Sequence, residues 1–156
     1  MTSAAPDTSE DIVQFMPHDR PMALLDRLVE AQNGRLKAEV RIDSDTMFCR
    51  PDEGVPSYLS LEYMAQAVAA LDGFWKAQRG CAPAIGFLLG TRAMSLSRPF
   101  FDVGEVLTVT VEERFNDGNM ASFDGRIDSG AETVASATLN VYSPDGTEVT
   151  KEAGDA

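Results

Sequence analysis

Residues 54–71, GVPSYLSLEYMAQAVAAL, form an almost unbroken apolar run with a single carboxylate, Glu62, near its middle. Alanines and leucines dominate, and the first four turns are apolar nearly all round. A helix of that kind is enclosed by other elements, not laid on a surface. The run predicts a helix over about residues 57–79, with Ser57 as the N-cap and Gly80 as the stop. The segments around it limit what can enclose it. Downstream come AIGFLLGTRAMSLSRPF (84–100), EVLTVTVEERF (105–115), MASFDGRID (120–128) and ETVASATLNVYS (132–143), divided by the turn signals VGE, NDGN and DSGAE. Upstream, MALLDRLVEA (22–31) and LKAEVRI (36–42) read as strands joined through QNGR, and EDIVQFMP as one or two helical turns before Pro17. Leu36, Ala38, Val40 and Ile42 fall on one face of their strand, and Leu107, Val109 and Val111 on one face of theirs. Strands, one buried helix and then a meander of antiparallel strands predict an α+β domain in which a single sheet wraps one helix.

At 156 residues the chain has the length of one domain with a sizeable core. The expected domain spans residues 10–145, with small, polar, charged tails at 1–9 and 146–156. A formal net charge of -12 argues against nucleic acid and against anionic membrane surfaces as partners. The apolar run is too short and too interrupted to span a bilayer, and the first residues, MTSAAPDTSEDI, lack the basic start and apolar core of a secretory signal. A cytoplasmic location is the expectation. Two cysteines, Cys49 and Cys81, and one histidine, His18, make no metal-binding spacing, so no metal or tightly held cofactor is expected.

Three stretches resemble one family. MPHDRPMALLDRL (16–28) resembles the N-terminal PHRxPxLLxDR stretch of the bacterial 3-hydroxyacyl-acyl-carrier-protein dehydratases. GVPSYLSLEYMAQAVAA resembles the segment around their catalytic acid, MPG followed by a helix with EAMAQ. GFLLGTRAMSLSRPFFDVGEVLTVTVEE resembles their strand pair with its RP…GD turn. The resemblance runs in register over about residues 16–115. Residues 54–67, 86–92 and 139–142 are more similar to a dehydratase-like branch associated with aryl polyene clusters than to the fatty-acid enzymes. The resemblance implies a hotdog fold, a long helix wrapped by an antiparallel sheet, usually dimeric through edge-to-edge joining of two sheets. It also implies removal of water from a 3-hydroxyacyl thioester carried on the phosphopantetheine of an acyl carrier protein, or on CoA. One departure stands out. The fatty-acid enzymes place a catalytic histidine fourteen residues before the acid, in an HFPG motif, and the acid meets it across a dimer interface. The corresponding position here is Phe48, within MFCRPDEG.

Each candidate residue has two readings. Glu62 is a structural carboxylate or a general acid/base whose pKa the apolar helix raises. His18, in a segment stiffened by Pro17 and Pro21, is a structural histidine or the base that works beside Glu62. Ser57 is a plain N-cap, or its backbone N–H donates to the thioester carbonyl as enolate charge develops. Gln66, one turn after Glu62, orients the carboxylate or holds a neighbouring loop. Arg92 and Arg98 either grip the phosphopantetheine phosphate or pair with the many acids of the chain. Phe87, Leu88, Leu89, Met94, Phe100 and Phe101 line an acyl tunnel or fill the core. Cys49 has no base beside it in sequence, which argues against a nucleophile. The expected function is dehydration of carrier-bound 3-hydroxyacyl thioesters in fatty-acid-like or polyene assembly, by a homodimer or by a heterodimer with a hotdog paralogue. The alternatives are a non-catalytic subunit of such a heterodimer and a hotdog thioesterase with Glu62 activating water.

Overall fold

The structure, a computed structural model, describes residues 11–82 and 86–144. The expected tails, and Ala84 and Ile85 of the expected strand segment 84–100, lie outside the described residues.

The described residues open with a single 3-10 turn, Ile12–Phe15, capped by the Asp11 side chain, which accepts from the Val13 amide. Strands β1 (Arg27–Gln32) and β2 (Arg35–Arg41) follow as a hairpin. The turn between them places Gly34 at φ +72, a backbone angle that glycine adopts without steric cost. A short strand β3 (Val55–Pro56) leads through a 3-10 turn, Ser57–Leu59, into the helix α1 (Ser60–Ala77). Then come β4 (Phe87–Leu96), the short β5 (Phe100–Phe101), β6 (Val106–Asn116), β7 (Met120–Ser129) and β8 (Glu132–Tyr142). Six strands pair antiparallel in the order β1-β2-β6-β7-β8-β4, and β3 pairs with β5 apart from them. One long helix against a six-stranded antiparallel sheet is the hotdog arrangement.

The alternations read from the sequence set the register. Leu36, Ala38 and Val40 of β2 and Leu107, Val109 and Val111 of β6 are all fully buried, and the two sets pair in register, Ala38 opposite Val109. They face the helix side chains Met64, Ala67 and Leu71 in one core. Two glycines let elements come close. A Cβ on Gly125 of β7 would lie 2.6 Å from the Met64 sulfur, so any larger residue there would force the Met64 side chain to move. A Cβ on Gly73 would overlap the Phe15 carbonyl, which crosses the helix at that point.

Three expectations change. Residues 22–26 are not strand: β1 begins at Arg27, and Ala23, Leu24 and Leu25 are buried as a loop. The helix proper starts at Ser60, not Ser57, and ends at Ala77. Ser57 is not a side-chain cap. Its hydroxyl donates to the Arg98 carbonyl at 2.5 Å and its amide to the Pro99 carbonyl at 2.8 Å, so the residue ties the helix entry to the β4–β5 connection. Of the apolar residues of β4, which could be tunnel or core, Met94 packs against the core. Phe87, Leu88, Leu89 and Leu96 are exposed along an edge strand, whereas Phe101 of β5 is fully buried.

Candidate active site

The cavity of interest measures about 360 Å³ and lies between one face of α1 and the β4–β8 edge of the sheet. Helix residues 62, 65, 66, 69 and 72 share that face because they recur at the three- and four-residue spacing of an α-helix. Leu88 and Val141, paired across β4 and β8, form part of the opposite wall. His18 and Pro17 close it from the N-terminal segment.

Glu62 is exposed in the single chain. The enclosure expected from its apolar helix is therefore not provided by its own fold: the carboxylate points into the cavity. One neutral donor holds it. Gln66 Nε2 donates to Glu62 Oε2 at 2.8 Å. Gln66 is itself buried, at 1% exposure, and its amide orientation is set by the backbone on both sides. Its Oε1 accepts from the Leu24 amide at 2.7 Å and its Nε2 also donates to the Met22 carbonyl at 2.9 Å. Both readings of Gln66 hold at once, because the loop 22–24 clamps the amide that orients the carboxylate. The buried Leu24 amide and Met22 carbonyl find in Gln66 the partners that a sheet would otherwise supply.

His18 lines the same cavity as Glu62. Its Nδ1 is buried and has no hydrogen-bond partner among the described residues, and no hydrogen bond or ion pair joins it to Glu62. The two residues share a cavity without a hydrogen bond between them. Ser57 is not at this site: its amide is spent on Pro99, so it has no donor left for a thioester carbonyl.

The two arginines separate cleanly. Arg98 is committed to structure. It grips Glu105 with both terminal nitrogens, at 3.0 and 2.5 Å, and lies 3.6 Å from Asp102. Burial pushes the Glu105 carboxyl up. Hydrogen bonds from Arg98, the Asp102 amide and Ser129 outweigh that and hold it below the usual carboxylate range. The hydrogen bond to Glu105 likewise holds the Arg98 guanidinium above its ordinary value. Of the two readings of Arg98, the pairing with acids is the one this geometry favours, and a phosphate would compete with Glu105 for both terminal nitrogens. Arg92, on β4, is exposed and makes no ion pair among the described residues.

Phe48 is half exposed, at 50%, with its backbone at φ +70, an unusual conformation for a bulky side chain. The ring is thus held out from the core at the position where the resemblance places a histidine. Asp72 and Lys76 went unnoticed in the sequence except as breaks in the apolar run. Both are buried, Lys76 Nζ lies 2.8 Å from Asp72 Oδ2, and Asp72 lines the cavity. Its spacing of three from Ala69 was the available signal, which sets it at the margin of the cavity face, about 80° round the helix from Glu62.

A helix-wrapping sheet with a carboxylate and an imidazole on one cavity is the frame of a hotdog dehydratase. The chain belongs to the ApeP-like dehydratase family, whose model matches residues 10–152. It is 28% identical to a chain in the structure of the dehydratase heterocomplex ApeI:P from Xenorhabdus doucetiae, with a TM-score of 0.82 over 90% of this chain and 95% of that one. It is 38% identical over 77 residues to the 3-hydroxyacyl-[acyl-carrier-protein] dehydratase FabZ of Magnetococcus marinus. That match covers 46% of this chain and spans half the length of the curated relative. The E. coli PaaI protein, of the phenylacetic acid degradation operon, shares the fold with a TM-score of 0.59 at 16% identity, covering 77% of this chain and 80% of that one. No helix among the described residues is long and apolar enough to cross a membrane.

Proposed function

We propose that the protein dehydrates 3-hydroxyacyl thioesters, carried on an acyl carrier protein, to 2-enoyl thioesters in polyene assembly. The observation that carries this reading is the Glu62 carboxylate, aimed into a largely apolar cavity and held there by the clamped Gln66 amide. Elimination of water needs one group to take the proton from C2 and another to protonate the departing C3 hydroxyl. Glu62 is assigned the proton delivered to the hydroxyl and His18 the proton taken from C2. With substrate between them, the two groups need not touch each other, which suits their placement on one cavity without a direct bond. Arg92, exposed on the edge strand β4, is assigned the phosphopantetheine phosphate.

The site works in a dimer. β4 is an edge strand with Phe87, Leu88 and Leu89 exposed. A long apolar edge of that kind is a hazard in an isolated monomer unless another chain covers it. Joining this edge to that of a second hotdog chain would also close the open side of the cavity over Glu62.

A second reading has its own observation. Phe48 stands where the family's histidine would be, and the ApeI:P structure is a heterocomplex. On this reading the chain is the partner subunit, and a histidine-bearing hotdog paralogue supplies the missing base. Incubating the purified protein with a 3-hydroxyacyl thioester, alone and then with a hotdog paralogue, tests both readings through the mass loss of water. Turnover by the chain alone supports self-sufficient chemistry with His18. Turnover only with the paralogue supports the subunit reading. Turnover in neither sinks the dehydratase proposal.

A further inference from the structure

His18 lines the cavity, yet its imidazole makes no hydrogen bond among the described residues. Pro17, just before it, has no backbone N–H to offer. What holds the ring in place is therefore the chain on either side of it.

On one side, the 3-10 turn Ile12–Phe15 is pinned to α1. Ile12, Phe15 and Met16 are buried, and the Met16 amide closes the turn on the Val13 carbonyl at 3.0 Å. The Phe15 ring meets Phe74 edge-on, with centroids 5.3 Å apart. The Phe15 carbonyl lies against Gly73, where a Cβ would overlap it. On the other side, the Ala23 amide donates to the Asp19 carbonyl at 2.8 Å, and Arg20 Nη1 donates to the Ala23 carbonyl at 2.7 Å. Gln66 then takes the Leu24 amide and the Met22 carbonyl. Residues 16–21 thus form a strap between two anchors on one helix, and His18 is carried in it. Pro17 and Pro21 restrict the strap's backbone, so a displacement at one anchor is passed along to His18.

Gly73 stands seven residues after Gln66 and eleven after Glu62, about two and three helical turns, so the three share one stripe of α1. The strap is moored on the stripe that carries the carboxylate. Glycine inside a helix is unfavourable, because it gives up more backbone freedom than alanine does. Alanine, which α1 uses at 65, 67, 69 and 70, would be the better helix former at 73 as well. What glycine supplies there is room for the Phe15 carbonyl.

We propose that Gly73 is a positioning residue for the reaction: by letting the Phe15 carbonyl lie against α1, it fixes one end of the strap and so where the His18 imidazole stands relative to Glu62. The inference rests on reading His18 as the base that takes the C2 proton. Misplacing a reacting group by about 1 Å can cost on the order of a hundredfold in rate, so a single methyl group at position 73 is enough to matter.

The test is Gly73→Ala, with Phe15→Ala as a second variant that loosens the same anchor without forcing a clash into the helix. The chain has one histidine, so isotope-labelled histidine gives a single set of ring resonances that report on the strap. Both variants should move those resonances. In whichever assembly is active, Gly73→Ala should lower kcat about tenfold or more, with KM changed by less than about twofold, and Phe15→Ala should lower it by less. Leu36→Ala opens a cavity in the β2 core instead. It should lower the melting temperature but leave the ring resonances and the turnover per folded molecule in place. Ring resonances unmoved in both strap variants overturn the inference. So does unchanged kcat in Gly73→Ala where His18→Gln loses turnover. Full turnover by His18→Gln overturns the reading of His18 as the base, and the inference with it, so the two failures can be told apart.

Discussion

Glu62 and Glu105 are both held by hydrogen bonds, but in opposite ways. Glu105 accepts from both terminal nitrogens of Arg98, from the Asp102 amide and from Ser129, with little of its side chain left to solvent. Its acceptor positions are occupied and its charge is matched. Glu62 accepts from one neutral amide, has no cation beside it among the described residues, and faces a cavity. A carboxylate with structural work is surrounded by donors. One with chemical work keeps positions open for a proton and a substrate. The same contrast separates the arginines, since Arg98 is gripped and Arg92 makes no ion pair among the described residues.

The contrast can be broken at either end. The largest effect is expected at Glu62. Glu62→Gln keeps the size and much of the hydrogen bonding but cannot exchange a proton, so dehydration should fall about a hundredfold or more with an unchanged melting temperature. An unstable variant whose folded fraction turns over normally would make Glu62 structural. Gln66→Leu should come next. Loss of a hydrogen bond to a charged group lowers kcat by about tenfold or more, with KM less affected. Because Leu24 and Met22 lose their partner, the melting temperature should drop as well. The pH profile of kcat should shift if Gln66 positions a titrating Glu62, and a merely structural loop clamp would leave the profile in place.

Arg98→Ala should act on the fold and not on the chemistry. It strands Glu105 and should lower stability by about 1–3 kcal/mol, read by denaturant unfolding, with turnover per folded molecule retained. The pH dependence carries the sign of this pair. Because the folded state holds Glu105 below the usual carboxylate range, its contribution is present above the unfolded value of about 4.3 and is lost as pH falls through the lower folded value. The acid limb of the stability curve should therefore be shallower in Arg98→Ala than in the wild type. The smallest effect belongs to Arg92→Ala. An exposed guanidinium facing a phosphate should change KM for a carrier-bound substrate a few-fold and leave a substrate lacking that phosphate untouched, because exposed ionic contacts are weak.

Much of the fold was legible because the sheet buries one face and so imposes strict alternation. Leu36, Ala38 and Val40, and Leu107, Val109 and Val111, could be placed by period alone. The errors fell where a long-range contact replaced a local rule. Ala23, Leu24 and Leu25 look like strand, yet they are buried as a loop whose backbone is satisfied by Gln66, forty-two residues from Leu24. Ser57 looks like a cap, yet its hydroxyl reaches Arg98. The apolar residues of β4 could not be sorted into core or tunnel lining, because composition does not say which edge a sheet leaves open. At the site, Glu62 was legible as the odd residue in an apolar run, but its exposure was not, since helix periodicity cannot tell a cavity from a core. Asp72 was missed for the same reason: a charge at the end of an apolar run reads as the end of burial, and here the charge is itself buried with Lys76.

The most direct test of Glu62 as a proton-transferring acid is solvent isotope exchange. A 3-hydroxyacyl thioester is incubated in oxygen-18 water with the wild type or with Glu62→Gln, in whichever assembly is active. Reversible loss and return of water should place the heavy oxygen at the C3 hydroxyl of the recovered wild-type substrate, read as a mass gain, and the variant, unable to protonate the departing hydroxyl, should leave that oxygen unlabelled. Equal labelling at C3 by both proteins, or release of free acid without label at C3, would contradict the account.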